Sequence, residues 1–146
     1  DWWMWDSLQH DKQEIALEQR LRSFNPIYRL SKRAFQYLHT QMSEGWRGHY
    51  ETLVPTLLNL GGFSIADIGG RGQFVPDGFE ERFYISTPSN NFGRIRKTGT
   101  MRHRPIFHKS GNLENKLYHP VKLGGARRYY YKKQLTRIAR KLIPFW

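Results

Sequence analysis

The sequence predicts an α/β chain: helices joined by a few short strands and long loops, closing on a basic C-terminal helix. Three observations carry this. Apolar residues recur at helical spacing over 31–42 and again over 50–58. Between 63 and 93 short apolar pieces alternate with turn signals, the pattern of brief strands. Residues 127–146 set an apolar stripe inside a dense cationic surround.

Each element has a local reason. The opening DWWMWDSL is too aromatic for a tail and reads as a strand end or loop packed on a core. Residues 11–22 (DKQEIALEQRLR) are good helix formers with acids first and arginines last, and Pro26 ends the segment. Ser31 is an N-cap for a helix to about Met42, with Ala34, Phe35, Leu38 and Met42 on one face. In GWRGHYETLVPTLLNLGG (45–62), Tyr50, Leu53, Val54, Leu57 and Leu58 keep helical spacing and Gly61-Gly62 supply the stop. Pro55 lacks an N–H and crowds the carbonyl of Glu51, so the helix either begins near Pro55 or kinks there. Glu51 stands at its entrance in both cases. FSIADI and FYIS are the strand candidates of 63–93, separated by GGRG, PDG and TPSNN turns. A basic, glycine-punctuated loop region follows to 125, and a last helix runs from about Arg127 to Ile143, stopped by Pro144.

The totals narrow the classes. A chain of 146 residues suits one domain with a real core, and at 38% apolar it is not a disordered segment. No apolar run reaches the roughly 20 residues a transmembrane helix needs. With no cysteine, disulfide frameworks, thiolate metal sites and cysteine nucleophiles are excluded, and a cytoplasmic setting is the simple expectation. Charge is divided unevenly. Residues 1–93 carry nine Lys/Arg against eleven Asp/Glu; residues 94–146 carry fifteen against Glu114 alone, a net of +14. Such a half meets anions: phosphates of a nucleotide, lipid headgroups or nucleic acid.

Four groups of residues carry chemistry. His49-Tyr50-Glu51 puts a carboxylate in a first helical turn, where unpaired N–H groups and the dipole favour negative charge; there it can act as general base on a hydroxyl. Gly45 and Gly48 would let backbone or substrate approach, with Trp46, His49 and Tyr50 at the rim. The plainer alternative makes Glu51 a helix stabiliser and His49 a cap. In KLYHPVK (116–122), His119 can ligate a divalent ion while Lys116 or Lys122 neutralises phosphates; it is equally a surface histidine in a basic loop. Arg94, Arg96, Lys97, Arg102 and Arg104 can grip phosphates, or form a solvated face. The stripe Leu135, Ile138, Ala139 and Leu142, ringed by cations and ended by aromatics, fits either an anionic membrane surface or docking on the chain's own core. Tyr129–Tyr131 could stack on bases, but no nucleic-acid signature accompanies them. Walker loops, G-x-S-x-G, H-E-x-x-H and D-x-D pairs are absent from the sequence.

As an ordered set, GHYETLVPTLL, DIGG, FVPDGFEERFYIS, GTMRHRPIF and NKLYHPVK resemble the C-terminal part of a GT-A-type nucleotide-sugar glycosyltransferase. The bacterial group linked to exopolysaccharide and cell-surface glycan synthesis is the nearest image, over residues 1–122. The resemblance implies the C-terminal part of a GT-A-like α/β fold. Residues 1–125 would form the acceptor side of a catalytic domain, incomplete at its N-terminus, followed by the basic helix 126–146. It implies Glu51 as the catalytic base of an inverting transfer and His119 as a ligand to Mn²⁺ or Mg²⁺. Arg102, Lys116 and Lys122 would lie on the donor diphosphate. Trp2, Trp3, Trp5 and Trp46 would offer flat faces for sugar rings or pack the core. The partners implied are a nucleotide-sugar donor, a glycan or lipid-linked acceptor, and the inner face of a membrane through 127–146. The aspartate pair and nucleotide-binding strands of that family have no counterpart here, so they are expected upstream of Asp1 together with the remaining metal ligands. The resemblance leaves open whether this chain is active alone. The alternative is a non-enzymatic basic module for anionic membrane or nucleic acid.

Overall fold

The computed structural model describes residues 2, 4–86, 99–101, 106, 107, 109 and 111–122. The chain divides into two compact units, Asp1–Ala66 and Asp67–Trp146. Among the described residues there are two α-helices, α1 (Lys32–Ser43) and α2 (Tyr50–Leu60), and both lie in the first unit. Irregular segments, two 3₁₀ turns and isolated β-bridges make up the rest of the described residues. The mix of helices and long loops agrees with the sequence, whereas no strand or sheet forms among the described residues.

Ser31 caps α1 as expected, its Oγ accepting from the Ala34 N–H at 3.1 Å. Both helices end in the same device. Gly45 (φ +117°) and Gly62 (φ +71°) follow the last turns in conformations that side chains resist. The next residues then reach back, Trp46 N–H to the Gln41 carbonyl at 3.1 Å and Phe63 N–H to the Leu58 carbonyl at 3.0 Å. Of the four residues expected on the core face of α1, Ala34 and Leu38 are buried while Phe35 and Met42 are exposed. One helix packed on α1 covers a narrow stripe: Phe35, about 100° round from Ala34, stays in water, and so does Met42 in the last turn.

The core of this unit joins Leu38, Trp46, Leu53, Leu57 and Leu58 with Leu8 and Ile15 from the irregular N-terminal segment. Each buried leucine or isoleucine stabilises the fold by roughly 2 kcal/mol. DWWMWDSL does pack on the core, as a 3₁₀ turn (Trp5–Ser7) that delivers Leu8, followed by an antiparallel bridge between Gln9 and Arg47. The helix expected over 11–22 is reduced to the 3₁₀ turn Leu17–Gln19. Tertiary contacts override propensity there. Arg20 donates to the Ile15 and Trp5 carbonyls at 2.9 and 2.8 Å. Leu21 and Ser23 use their main-chain groups on α2, which requires an extended chain.

Pro55 neither starts nor breaks α2, which is helical from Tyr50 to Leu60. The Glu51 carbonyl that Pro55 leaves without an intrahelical donor accepts the Ser23 N–H at 2.8 Å. One turn on, buried Thr56 accepts from the Leu21 N–H at 2.8 Å and donates to the Leu21 carbonyl at 3.1 Å. Proline and threonine together thus dock the 21–23 segment along the helix.

FSIADI, which runs from the first unit into the second, and FYIS in the second do not become strands, because turns and side chains take their main-chain groups. Asp67 N–H donates to the Phe74 carbonyl at 2.7 Å, and Ile85 N–H to Thr100 Oγ1 at 2.9 Å. Single parallel bridges link Ser86 to Met101, Met101 to His119 and Phe107 to Val121. The basic residues Arg94, Arg96, Lys97, Arg102 and Arg104, Trp3 and the expected C-terminal helix 126–146 lie outside the described residues.

Candidate functional site

The N-terminus of α2 is built from several separate stretches of the first unit. Ser7 Oγ accepts the His49 N–H at 2.9 Å and donates its own hydroxyl hydrogen bond to the Met4 carbonyl at 2.6 Å. With the Gln9–Arg47 bridge this fixes the chain just before α2. A Cβ on Gly48 would stand 2.7 Å from the Ser7 carbonyl oxygen, so glycine here admits the protein's own backbone rather than a substrate. His49 is the N-cap: its Nδ1 accepts the Glu51 N–H at 3.3 Å, which leaves the proton of the neutral ring on Nε2. The imidazole lies 4.7 Å from the Tyr50 ring at 32°.

Glu51 follows in the first turn, where the helix dipole favours negative charge. Its side chain is partly buried and has no ion-pair partner among the described residues. Oε1 accepts weakly from the Tyr50 hydroxyl at 3.4 Å. Burial, then the charge and hydrogen bond of Glu51, then Tyr28, hold the Tyr50 hydroxyl above its usual pKa, so Tyr50 remains a donor. The carboxylate therefore sits beside the exposed Tyr50 side chain, with no cation paired to it among the described residues.

His49, Tyr50 and Glu51 are brought together; Trp46 is not at their rim. It is 5% exposed, part of the core, with its ring 4.8 Å from His10. His10 accepts the Lys12 N–H at Nδ1 and bonds the Glu44 carbonyl through Nε2 at 3.0 Å, which ties this aromatic pair to the end of α1. A buried indole cannot stack on a sugar, so Trp46 belongs to the scaffold. Trp2 and Trp5 pack edge to face at 4.8 Å and are both partly buried.

Lys116, His119 and Lys122 belong to the second unit. Lys116 Nζ donates to the Glu81 and Arg82 carbonyls at 2.5 and 2.7 Å, which leaves one of its three protons for another acceptor. His119 is half-buried and precedes a cis bond to Pro120; its N–H donates to the Thr100 carbonyl at 2.9 Å. Lys122 is exposed, its main-chain N–H donating to the Phe107 carbonyl at 2.8 Å. Arg102 lies outside the described residues. Among the described residues no group of three His, Asp or Glu side chains is placed to hold a metal ion. The second unit also has an open apolar hollow of about 410 Å³ lined by Ile68, Phe83, Asn115, Lys116 and Leu117. Neither Glu51 nor His119 lines it.

The DIGG motif proves to be a carboxylate cradle. Asp67 Oδ1 accepts from the Gly69 and Gly70 N–H groups at 3.0 and 3.1 Å, and the Tyr84 hydroxyl donates to Oδ1 at 2.6 Å and lies 2.7 Å from Oδ2. Burial first, then the hydrogen bond and charge of Asp67, push the Tyr84 hydroxyl far above the ordinary tyrosine value.

The chain matches no protein-family model, and comparison with curated proteins and with solved structures finds no match. One part of the site carries no signal in the sequence: the Ser7 brace comes from 42 residues upstream of His49.

Proposed function

We propose that this chain is the acceptor-side part of a nucleotide-sugar glycosyltransferase, with Glu51 as the base that takes the proton of an acceptor hydroxyl. The oxygen so activated attacks the anomeric carbon, the bond to the nucleoside diphosphate breaks, and inversion results. One observation carries the reading. Glu51 is held in the first turn of α2 by the His49 cap and the Ser23 bond, yet its carboxylate is spent on no cation among the described residues.

Within the second unit taken by itself, Lys122 is exposed and Lys116 keeps one proton, cations able to meet an anion such as a diphosphate. His119 alone is one imidazole, and the described residues do not complete a divalent-cation site around it, so no step is assigned to a metal. The basic charge of 94–146 supports work close to anionic surfaces where lipid-linked acceptors lie.

The test is nucleoside diphosphate release from a panel of nucleotide sugars by the full-length protein, with glycan acceptors added. Glu51→Gln is expected to lower transfer by roughly 10²–10⁴-fold while nucleotide-sugar binding stays intact. A wild type that consumes none of the panel, or a Glu51→Gln protein of unchanged turnover, overturns the reading.

A further inference from the structure

The hollow of the second unit has walls tied to one another by the unit's own bonds. Its volume of about 410 Å³ falls within the range of small-molecule sites. Ile68, Phe83 and Leu117 supply apolar surface, and Asn115 and Lys116 complete the lining. The Leu117 N–H donates to the Phe83 carbonyl at 2.7 Å, and Lys116 Nζ donates to the Glu81 and Arg82 carbonyls, so two walls are stapled together. Ile68 is fixed from both sides. Its neighbour Asp67 accepts the Tyr84 hydroxyl at 2.6 Å, and a Cβ on Gly69 would stand 2.8 Å from the Tyr84 nitrogen. Ile68 itself stays 42% exposed.

Cations accompany these walls. The Arg82 guanidinium lies over the Phe83 ring, 5.3 Å from its centroid, and over Phe79 at 4.8 Å. Stacking of this kind holds the guanidinium plane and leaves its edge N–H groups able to meet oxygen acceptors. Lys116 keeps one of its three protons. Neither cation pairs with a carboxylate among the described residues, whereas the neighbouring Glu80 and Glu81 are both engaged by Arg71. The chemistry of the group is thus split between an apolar floor and a positive edge. An alkyl chain gains by leaving water for such a floor, while an anionic head gains at the edge.

We infer that this hollow binds a single-chain aliphatic anion, its chain against Ile68, Phe83 and Leu117 and its phosphate or carboxylate head on Lys116 and Arg82. The inference goes beyond the glycosyltransferase reading and stands without it.

Amide chemical shifts of the whole chain, followed during titration below micelle-forming concentrations, test this with octyl phosphate and octanoate. At least one should shift the Ile68, Phe83 and Leu117 amides and saturate. Inorganic phosphate, which has no chain, and octyl glucoside, which has no charge, should bind at least about threefold more weakly. Arg82→Gln should weaken the anion about threefold and leave octyl glucoside unchanged. Ile68→Glu, which sets a like charge in the hollow at an exposed position, should abolish binding. Circular dichroism of that variant must match the wild type; if it unfolds, Ile68→Ser is read in its place. Silence of these amides toward both anions, equal affinity for octyl glucoside, or unchanged binding in the folded Ile68 variant overturns the inference. Adenosine monophosphate binding more tightly than either amphiphile would assign the hollow to a base and overturn it too.

Discussion

At the scale of single residues, the second unit depends on how Asp67 is satisfied. Its carboxylate takes two backbone N–H groups of the glycine pair and the Tyr84 hydroxyl. Tyr84→Phe leaves the carboxylate partly buried with one donor fewer, at a cost of about 2 kcal/mol in urea denaturation at neutral pH. The same bond sets a pH dependence. Folding raises the Tyr84 pKa above its ordinary 10.0, chiefly through burial and then through Asp67. The native state therefore keeps this proton longer than the unfolded chain does. The contribution is complete below about pH 10 and is lost as pH rises through the folded value. The wild-type urea midpoint should thus fall more steeply between roughly pH 9.5 and 11.5 than that of Tyr84→Phe. Parallel pH profiles would show that the Asp67–Tyr84 bond is not the linkage.

At the scale of elements, α2 organises its own surroundings. Its caps and apolar spacing are local, but its effect on the chain is not: Pro55 frees a carbonyl for Ser23, and Thr56 gathers both main-chain groups of Leu21. Thr56→Val preserves shape and removes the hydroxyl, so the Leu21 N–H and C=O lose their partner together. We expect a loss of about 1–3 kcal/mol and faster amide exchange at Leu21, with α2 itself still helical by circular dichroism. An unchanged Leu21 exchange rate would mean the 21–23 segment is held by other contacts. The helix signal in 11–22 failed for the same reason. Alanine, leucine and glutamate favour a helix there, but a helix of that length is marginal alone, and the bonds to α2 demand extension.

At the scale of the whole molecule, the core around Leu57 is drawn from residues 8–65, all within the first unit. A fragment of residues 1–66 should therefore keep its helical circular dichroism and unfold cooperatively, though at a low midpoint, since about 60 residues bury a modest fraction of their surface. A fragment without helical signal would mean that the second unit is needed to form this core. Charge is divided at the same scale: the cations collect beyond residue 93, whereas Glu51 belongs to the near-neutral first part.

Local signals settled what depends on neighbours in sequence. Ser31, the Gly61-Gly62 stop of α2, the 3.6-residue apolar spacing of α2 and its acidic first turn were all readable, because caps and stripes act within a few residues; Gly45 as the end of α1 was not read. Packing decided what depends on distant groups. Trp46 became core rather than rim because His10 and Leu8 reach it, and 11–22 stayed extended because Thr56 and Glu51 bind its continuation. Ser23 came to the Glu51 carbonyl, a pairing that no periodicity encodes. Side chains know their own spacing, but which backbone group finds a donor is settled only when remote segments meet and water is excluded between them.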